Sequence, residues 1–151
     1  MTGVGRVEAL WLKRAHRGPM DGVTEATLVE GQGVAGSVGR SKRRQVSILS
    51  QEDWQAALAD AGASADASRR RANVMVSGLR LENTRGRVLQ VGDARVAIGG
   101  ELTPCERMEE VAPGLQAALR TGWRGGVFGQ VLRGGVVRVG DSVRWEIANP
   151  E

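Results

Sequence analysis

The sequence predicts a mainly β fold with short helices, an α+β chain built as an antiparallel β-barrel with two or three peripheral helices. Three observations point there. Short apolar runs of four to seven residues, rich in β-branched side chains, recur along the chain between Gly, Asn and Asp. Glycine is abundant, at 22 of 151 residues, and falls between those runs, where tight turns need it. Helical spacing of apolar residues is confined to two brief stretches. Many short strands with Gly-rich turns bury their apolar faces most readily by closing on themselves.

The predicted strands are Val7–Leu12, Thr24–Glu30, Gln45–Leu49, Asn73–Val76, Arg87–Val91, Arg95–Ile98, Val127–Leu132, Val136–Val139 and Ser142–Ile147. Gly92-Asp93, Gly134-Gly135 and Gly140-Asp141 are hairpin candidates. Ser50 reads as the N-cap of a first helix, with Glu52 and Asp53 in its first turn and Gly62 as its stop. Ala63–Ser68 reads as a mobile link. A second helix runs from about Pro113 to Arg120, with Pro113 in its first turn. A further helical turn fits around Cys105–Val111.

Length and composition bound the function. The 151 residues, 1–151, suit a single domain. No apolar run is long enough to span a membrane. The first residues lack the apolar stretch of an export signal, so the expected location is cytoplasmic. One cysteine, Cys105, and one histidine, His16, exclude an internal disulfide, a multi-thiolate zinc site and a two-histidine zinc motif within the chain. No haem, flavin or nucleotide motif is present. The net charge is +4, and 19 of the 21 basic residues are Arg, the side chain suited to forked contacts with phosphate and carboxylate. Aromatic content of 3% leaves little to stack on bases and argues against nucleic acid as a partner.

Three stretches carry chemistry. Arg40-Ser41-Lys42-Arg43-Arg44-Gln45 and Arg69-Arg70-Arg71-Ala72-Asn73 each lead into a strand. Either run is a solvated loop, or, if the two strand ends lie side by side, both line one anion pocket. In Thr103-Pro104-Cys105, Pro104 fixes the backbone ahead of the thiol. A lone cysteine is commonly a small buried hydrophobe. A reactive thiolate instead needs a positive surround, which Arg107 and the two basic runs could supply.

The chain resembles the MOSC domain family, named after the C-terminal domain of molybdenum-cofactor sulfurase. The resemblance rests on an ordered set. It begins with Gly33-Val34-Ala35-Gly36, Arg44-Gln45-Val46-Ser47 and Ile48-Leu49-Ser50. Arg71-Ala72-Asn73, Gly86, Val91-Gly92 and Pro104-Cys105 follow, and Gly134-Gly135 through Gly140-Asp141-Ser142-Val143 closes the set. The resemblance implies an anionic pocket for a molybdenum-pterin cofactor. Cys105 matches the cysteine that ligates molybdenum in relatives acting on N-hydroxylated compounds; in the sulfurase branch the resemblance implies a domain that handles activated sulfur. Arg71 and Asn73 match an Arg-x-Asn motif that contacts the pterin-phosphate part. Ser50 and Thr103 match small hydroxyl residues, and Lys42 and Arg44 suit the same anion by charge and place. Ser37 stands where many members carry Asp.

The resulting expectation is a cofactor-binding sulfur carrier or cofactor-handling module using Cys105. The alternative is a molybdenum-dependent reductase of N-hydroxylated substrates with Cys105 on the metal. A third reading is a barrel for another anion with Cys105 buried. Whether the chain is an enzyme stays open. Its implied partners are the anionic pterin and either a cysteine-desulfurase-like sulfur donor or a redox protein.

Overall fold

The computed structural model describes residues 4–147. Eleven strands form among these residues: β1 (Val4–Lys13), β2 (Met20–Val23), β3 (Glu25–Val29), β4 (Gly33–Val34), β5 (Val46–Ser50), β6 (Val74–Ser77), β7 (Val88–Val91), β8 (Ala94–Glu101), β9 (Val127–Arg133), β10 (Gly135–Arg138) and β11 (Ser142–Trp145). Three helices accompany them: α1 (Gln51–Ala61), α2 (Glu106–Val111) and α3 (Leu115–Arg120). All nine predicted strands are present within three residues of their expected bounds; the largest differences are that β1 starts at Val4 rather than Val7 and β8 runs on to Glu101 rather than Ile98. The short β2 and β4 carry no alternating pattern of their own and escape sequence reading.

The barrel is closed. Its strand order is β11-β7-β8-β9-β5-β6-β1, and β1 pairs with β11 to complete the ring. One strand serves three neighbours because it bends. The first residues of β1, Val4–Arg6, pair with β11, while Leu10–Lys13 pair with β2 outside the ring. A bulge between Val7 and Ala9 makes that change of direction. A smaller sheet, β10-β3-β4, completes the β structure.

One pair departs from the antiparallel expectation: β5 and β6 are parallel. Parallel neighbours need a long crossover, and α1 with the 3-10 turn Ala67–Arg70 provides it. Both ends of α1 follow the sequence. Ser50 accepts a hydrogen bond from the Asp53 N–H, and Gly62 closes the helix in the left-handed region at φ +63°. Of the three hairpin candidates only Gly92-Asp93 forms, with Val91 opposite Ala94. Gly134 and Gly140 mark turns between sheets instead, because β10 pairs with β3. Pro113 lies ahead of α3, whose N-cap is Gly114.

There are two cores. Val7, Leu10, Ile48, Val74, Leu89, Val96 and their neighbours fill the barrel. Leu49, Trp54, Ala57, Ala72, Met108, Leu115 and Leu119 form a second cluster between the helices and the outer face of β5. The stretch expected as a mobile link packs there through Ala63, Ala65 and Ala67. The Trp54 indole N–H donates to the Ala65 carbonyl at 3.3 Å. Two buried faces explain why β5 reads as an almost unbroken apolar run.

Candidate functional site

The crossover brings the two basic runs together. Gln45–Ser47 open β5 and Asn73 precedes β6, so both runs end at the same mouth of the barrel. The C-terminal end of β1 reaches that mouth through Lys13, and the segment after β8 reaches it through Leu102 and Cys105. Together they enclose a cavity of about 250 Å³.

Six cationic side chains line this cavity, Lys13, Arg40, Arg44, Arg70, Arg71 and Arg107, and no acidic one does. Among the described residues none of the six has a carboxylate within 4.0 Å; every ion pair found lies elsewhere. Burial and, after it, the neighbouring charges disfavour the charged forms here. Burial, then Arg71 and Arg107, hold the Lys13 ammonium below its ordinary range. Burial, then Arg107, act likewise on Arg71. An anion in the cavity would relieve this repulsion.

Arg70 is the most enclosed of the six. Its Nε donates to the Gly125 carbonyl at 2.9 Å and its Nη2 to the Leu102 carbonyl at 2.8 Å. Burial pushes its pKa down to about 10, and a thiolate at Cys105 pulls it back up. It therefore stays charged near neutrality, anchoring the segment that presents the thiol. Cys105 itself is exposed at the cavity wall, at the head of α2. The reading of a buried hydrophobic cysteine does not hold.

Arg71 sits in the left-handed region at φ +66°. Its Nη1 donates to the Gly18 carbonyl, while its Nη2 is buried without a partner among the described residues. Such a donor is costly unless something outside the fold satisfies it. Arg44 lies over the Phe128 ring, 4.8 Å from its centroid, which orients a guanidinium that is otherwise exposed.

Asn73 lines the cavity, but the fold already uses its amide. Its Oδ1 accepts from the Ser47 N–H at 3.1 Å and the Ser47 hydroxyl at 3.2 Å. Its Nδ2 donates to the Trp11 carbonyl at 3.4 Å and to Ser37 Oγ at 3.3 Å. Ser37 Oγ also accepts the Lys13 N–H at 3.0 Å. Asn73 is thus a brace that locks β1, β5 and the Gly36-Ser37 turn around the mouth.

The remaining expected residues lie off the cavity. Ser50 is at the opposite end of β5, buried as the α1 cap, with its hydroxyl donating to Glu52 Oε1 at 3.3 Å. Lys42 is exposed and is not part of the lining, and its carbonyl accepts from Gln45 and Gln130. Thr103 is exposed and is not part of the wall. Sequence reading did not single out Lys13, Ser37 or Arg70 as site residues. Lys13 ends a strand far from both basic runs, and Arg70 looks like its neighbours Arg69 and Arg71 until burial separates them. No group of three His, Cys, Asp or Glu side chains able to hold a metal occurs among the described residues. None of the described helices is long and apolar enough to cross a membrane.

Comparison with known proteins bears on the same region. The family profile described as MOSC domain matches residues 16–144. The fold is similar to that of the YuaD protein from Bacillus subtilis, with TM-score 0.79 and 22% identity over 93% of this chain and 94% of that one. It is also similar to YiiM from Geobacillus stearothermophilus, at TM-score 0.71 and 15% identity over 95% and 75% of the two chains. YiiM from Escherichia coli gives 0.66 and 14% over 97% and 72%. At these identities the likeness is one of fold. No curated protein matches in sequence.

Proposed function

The chain belongs to the MOSC domain family, and on that premise we propose that it is a cofactor-handling sulfur carrier, with the anionic end of a molybdenum-pterin cofactor held in the cationic cavity and Cys105 as the sulfur-bearing group. The observation that carries this is the conjunction of six cations, none with a carboxylate partner among the described residues, with an exposed thiol on one wall. The residues present suit the group: Lys13, Arg44, Arg71 and Arg107 offer charge, the free Nη2 of Arg71 offers a donor, and a soft thiolate suits molybdenum. The cavity is smaller than the ~300–1,000 Å³ of a typical ligand pocket. It therefore suits one end of the cofactor, with the rest lying across the mouth.

When bound, the cofactor supplies the metal-centred redox and sulfur chemistry. The protein's part is electrostatic and positional. Arg70 and Arg107 place positive charge on the cavity wall that carries Cys105, which reacts as its thiolate. That thiolate attacks the outer sulfur of a persulfide on a donor protein. The donor's S–S bond breaks, a new S–S bond forms at Cys105, and the donor leaves as a thiolate. Exposure of Cys105 permits this approach, since a macromolecular donor cannot reach a buried sulfur.

The experiment is expression in cells that make molybdenum cofactor, followed by intact-mass, metal and pterin determination on wild type and Cys105→Ala. A sulfur adduct of about 32 Da on wild type and its loss in the variant supports the carrier role. Molybdenum retained by wild type and lost in the variant would replace that role with metal ligation and reductase chemistry. Absence of adduct, metal and pterin from both proteins overturns the proposal.

A further inference from the structure

Next to the main cavity lies a shallower hollow of about 220 Å³, lined by Arg17, Arg69, Arg71, Arg107 and Glu110 among others. It continues past Gly18 and Pro19 into a third hollow that again includes Arg17, Arg69 and Arg71. Arg71 lines all three spaces, and Arg107 lines the first two. Four guanidinium groups here face one carboxylate, and among the described residues none of the four has an ion-pair partner.

The hollow is held by specific contacts. Arg17 and Arg71 both adopt left-handed backbone, at φ +65° and +66°, which side-chain-bearing residues rarely do. The Arg71 Nη1 donor grips the Gly18 carbonyl, tying the β1–β2 loop that carries Arg17 to the turn that carries Arg69. The same guanidinium leaves its buried Nη2 without a partner among the described residues. Arg71 therefore forms a wall between two cationic spaces and is satisfied by neither.

We propose that this hollow is a second anion subsite and that the ligand of the main cavity carries two linked phosphoryl groups, one on each side of Arg71. Linkage follows from the shared walls. Two separate anions would compete for Arg71 and Arg107 and repel each other, whereas a linked pair gains the second contact without a second loss of translational freedom. This inference rests on the main cavity being an anion site, and it deepens that reading by naming an organic diphosphate, or a longer phosphate chain, as the ligand class.

The test is isothermal titration of the unloaded protein with inorganic phosphate and with pyrophosphate, at physiological salt to screen distant charge. Wild type is expected to prefer pyrophosphate by about tenfold or more, the gain of one further charged contact. In Arg17→Ala/Arg69→Ala that preference shrinks by about tenfold. Arg133→Ala/Arg144→Ala, a charge-matched control away from the hollow, keeps it. Arg44→Ala weakens both ligands alike. An equal pyrophosphate preference in wild type and the double variant overturns the second subsite while leaving the main cavity standing. Indifference of both ligands to Arg44→Ala overturns the main-cavity reading itself. Arg69→Gln, a change at one exposed side chain, gives the same ratio test if the double variant does not fold.

Discussion

The two ends of the β5–β6 pair each open into a cavity, and they differ in what the fold has neutralised. At the C-terminal end, Ser50, Glu52, Asp53, Arg80, Glu82 and Arg124 surround a space of about 530 Å³, twice that of the other. Its charges are of both signs, although Asp53 has no ion-pair partner among the described residues and burial pushes its carboxyl above the ordinary range. Arg80 pairs with Glu82 at 2.8 Å, Arg124 bonds Asp60, and Glu52 accepts the Gly78 N–H. At the N-terminal end six cations meet no acid, and one buried guanidinium nitrogen has no partner among the described residues. The larger hole is a gap at a barrel rim where helix α1 caps itself. The smaller one is a place where the protein has left electrostatic work undone. Imbalance, not volume, marks the candidate site.

The largest expected effect separates two arginines. Arg70→Ala removes two charge-assisted hydrogen bonds that join the crossover to the segments at Leu102 and Gly125. It should lower unfolding stability by about 2–4 kcal/mol, seen as a shifted urea midpoint at constant slope. A loss below about 1 kcal/mol would mean that Arg70 is held for charge alone.

Lys13 tests the cost of a charge that is part-buried and, second to that, beside Arg71 and Arg107, with the opposite sign. Its folded-state pKa lies below the ordinary 10.5, so the charged form is disfavoured in the fold. That penalty is fully present below the folded pKa and fades as pH rises from there towards the unfolded value. Lys13→Met should therefore be slightly more stable than wild type at pH 7, by less than about 1 kcal/mol after solvent screening. The advantage should vanish in alkaline solution or on adding phosphate. Thermal melts across pH 7–10.5 measure it, and a variant less stable than wild type at every pH would remove repulsion from the account.

The smallest effect belongs to the end where charges of both signs meet. Arg80, its side chain 84% exposed, pairs with Glu82 at the surface. Arg80→Ala should change stability by no more than about 0.5 kcal/mol and leave phosphate binding untouched. Loss of phosphate affinity in this variant would erase the contrast between the two ends.

Much of this was readable in the chain, for local reasons. Ser50, Glu52, Asp53 and Gly62 specify α1 through groups within one turn of each helix end. Gly92-Asp93 specifies its hairpin because Val91 and Ala94 flank a two-residue turn. The Gly134 and Gly140 turns misled, because a turn fixes where the chain reverses and not which strand it then pairs with. At the site, Cys105, Arg44 and Arg71 could be selected by residue type and by their place in an ordered set of motifs. Asn73 could be selected too, but its role as a brace could not, since its four side-chain hydrogen bonds go to Trp11, Ser37 and Ser47. Lys42, Ser50 and Thr103 carry the right chemistry but do not line the cavity.

By itself the sequence determined the strands, the first helix, the excess of arginine and the single thiol, because each depends on neighbours a few residues apart or on composition alone. Only the tertiary structure decided which of the cations converge. The parallel β5–β6 pair and the bend in β1 bring Lys13, Arg44, Arg70, Arg71 and Arg107 to one mouth, and burial there is what makes a guanidinium without a carboxylate matter.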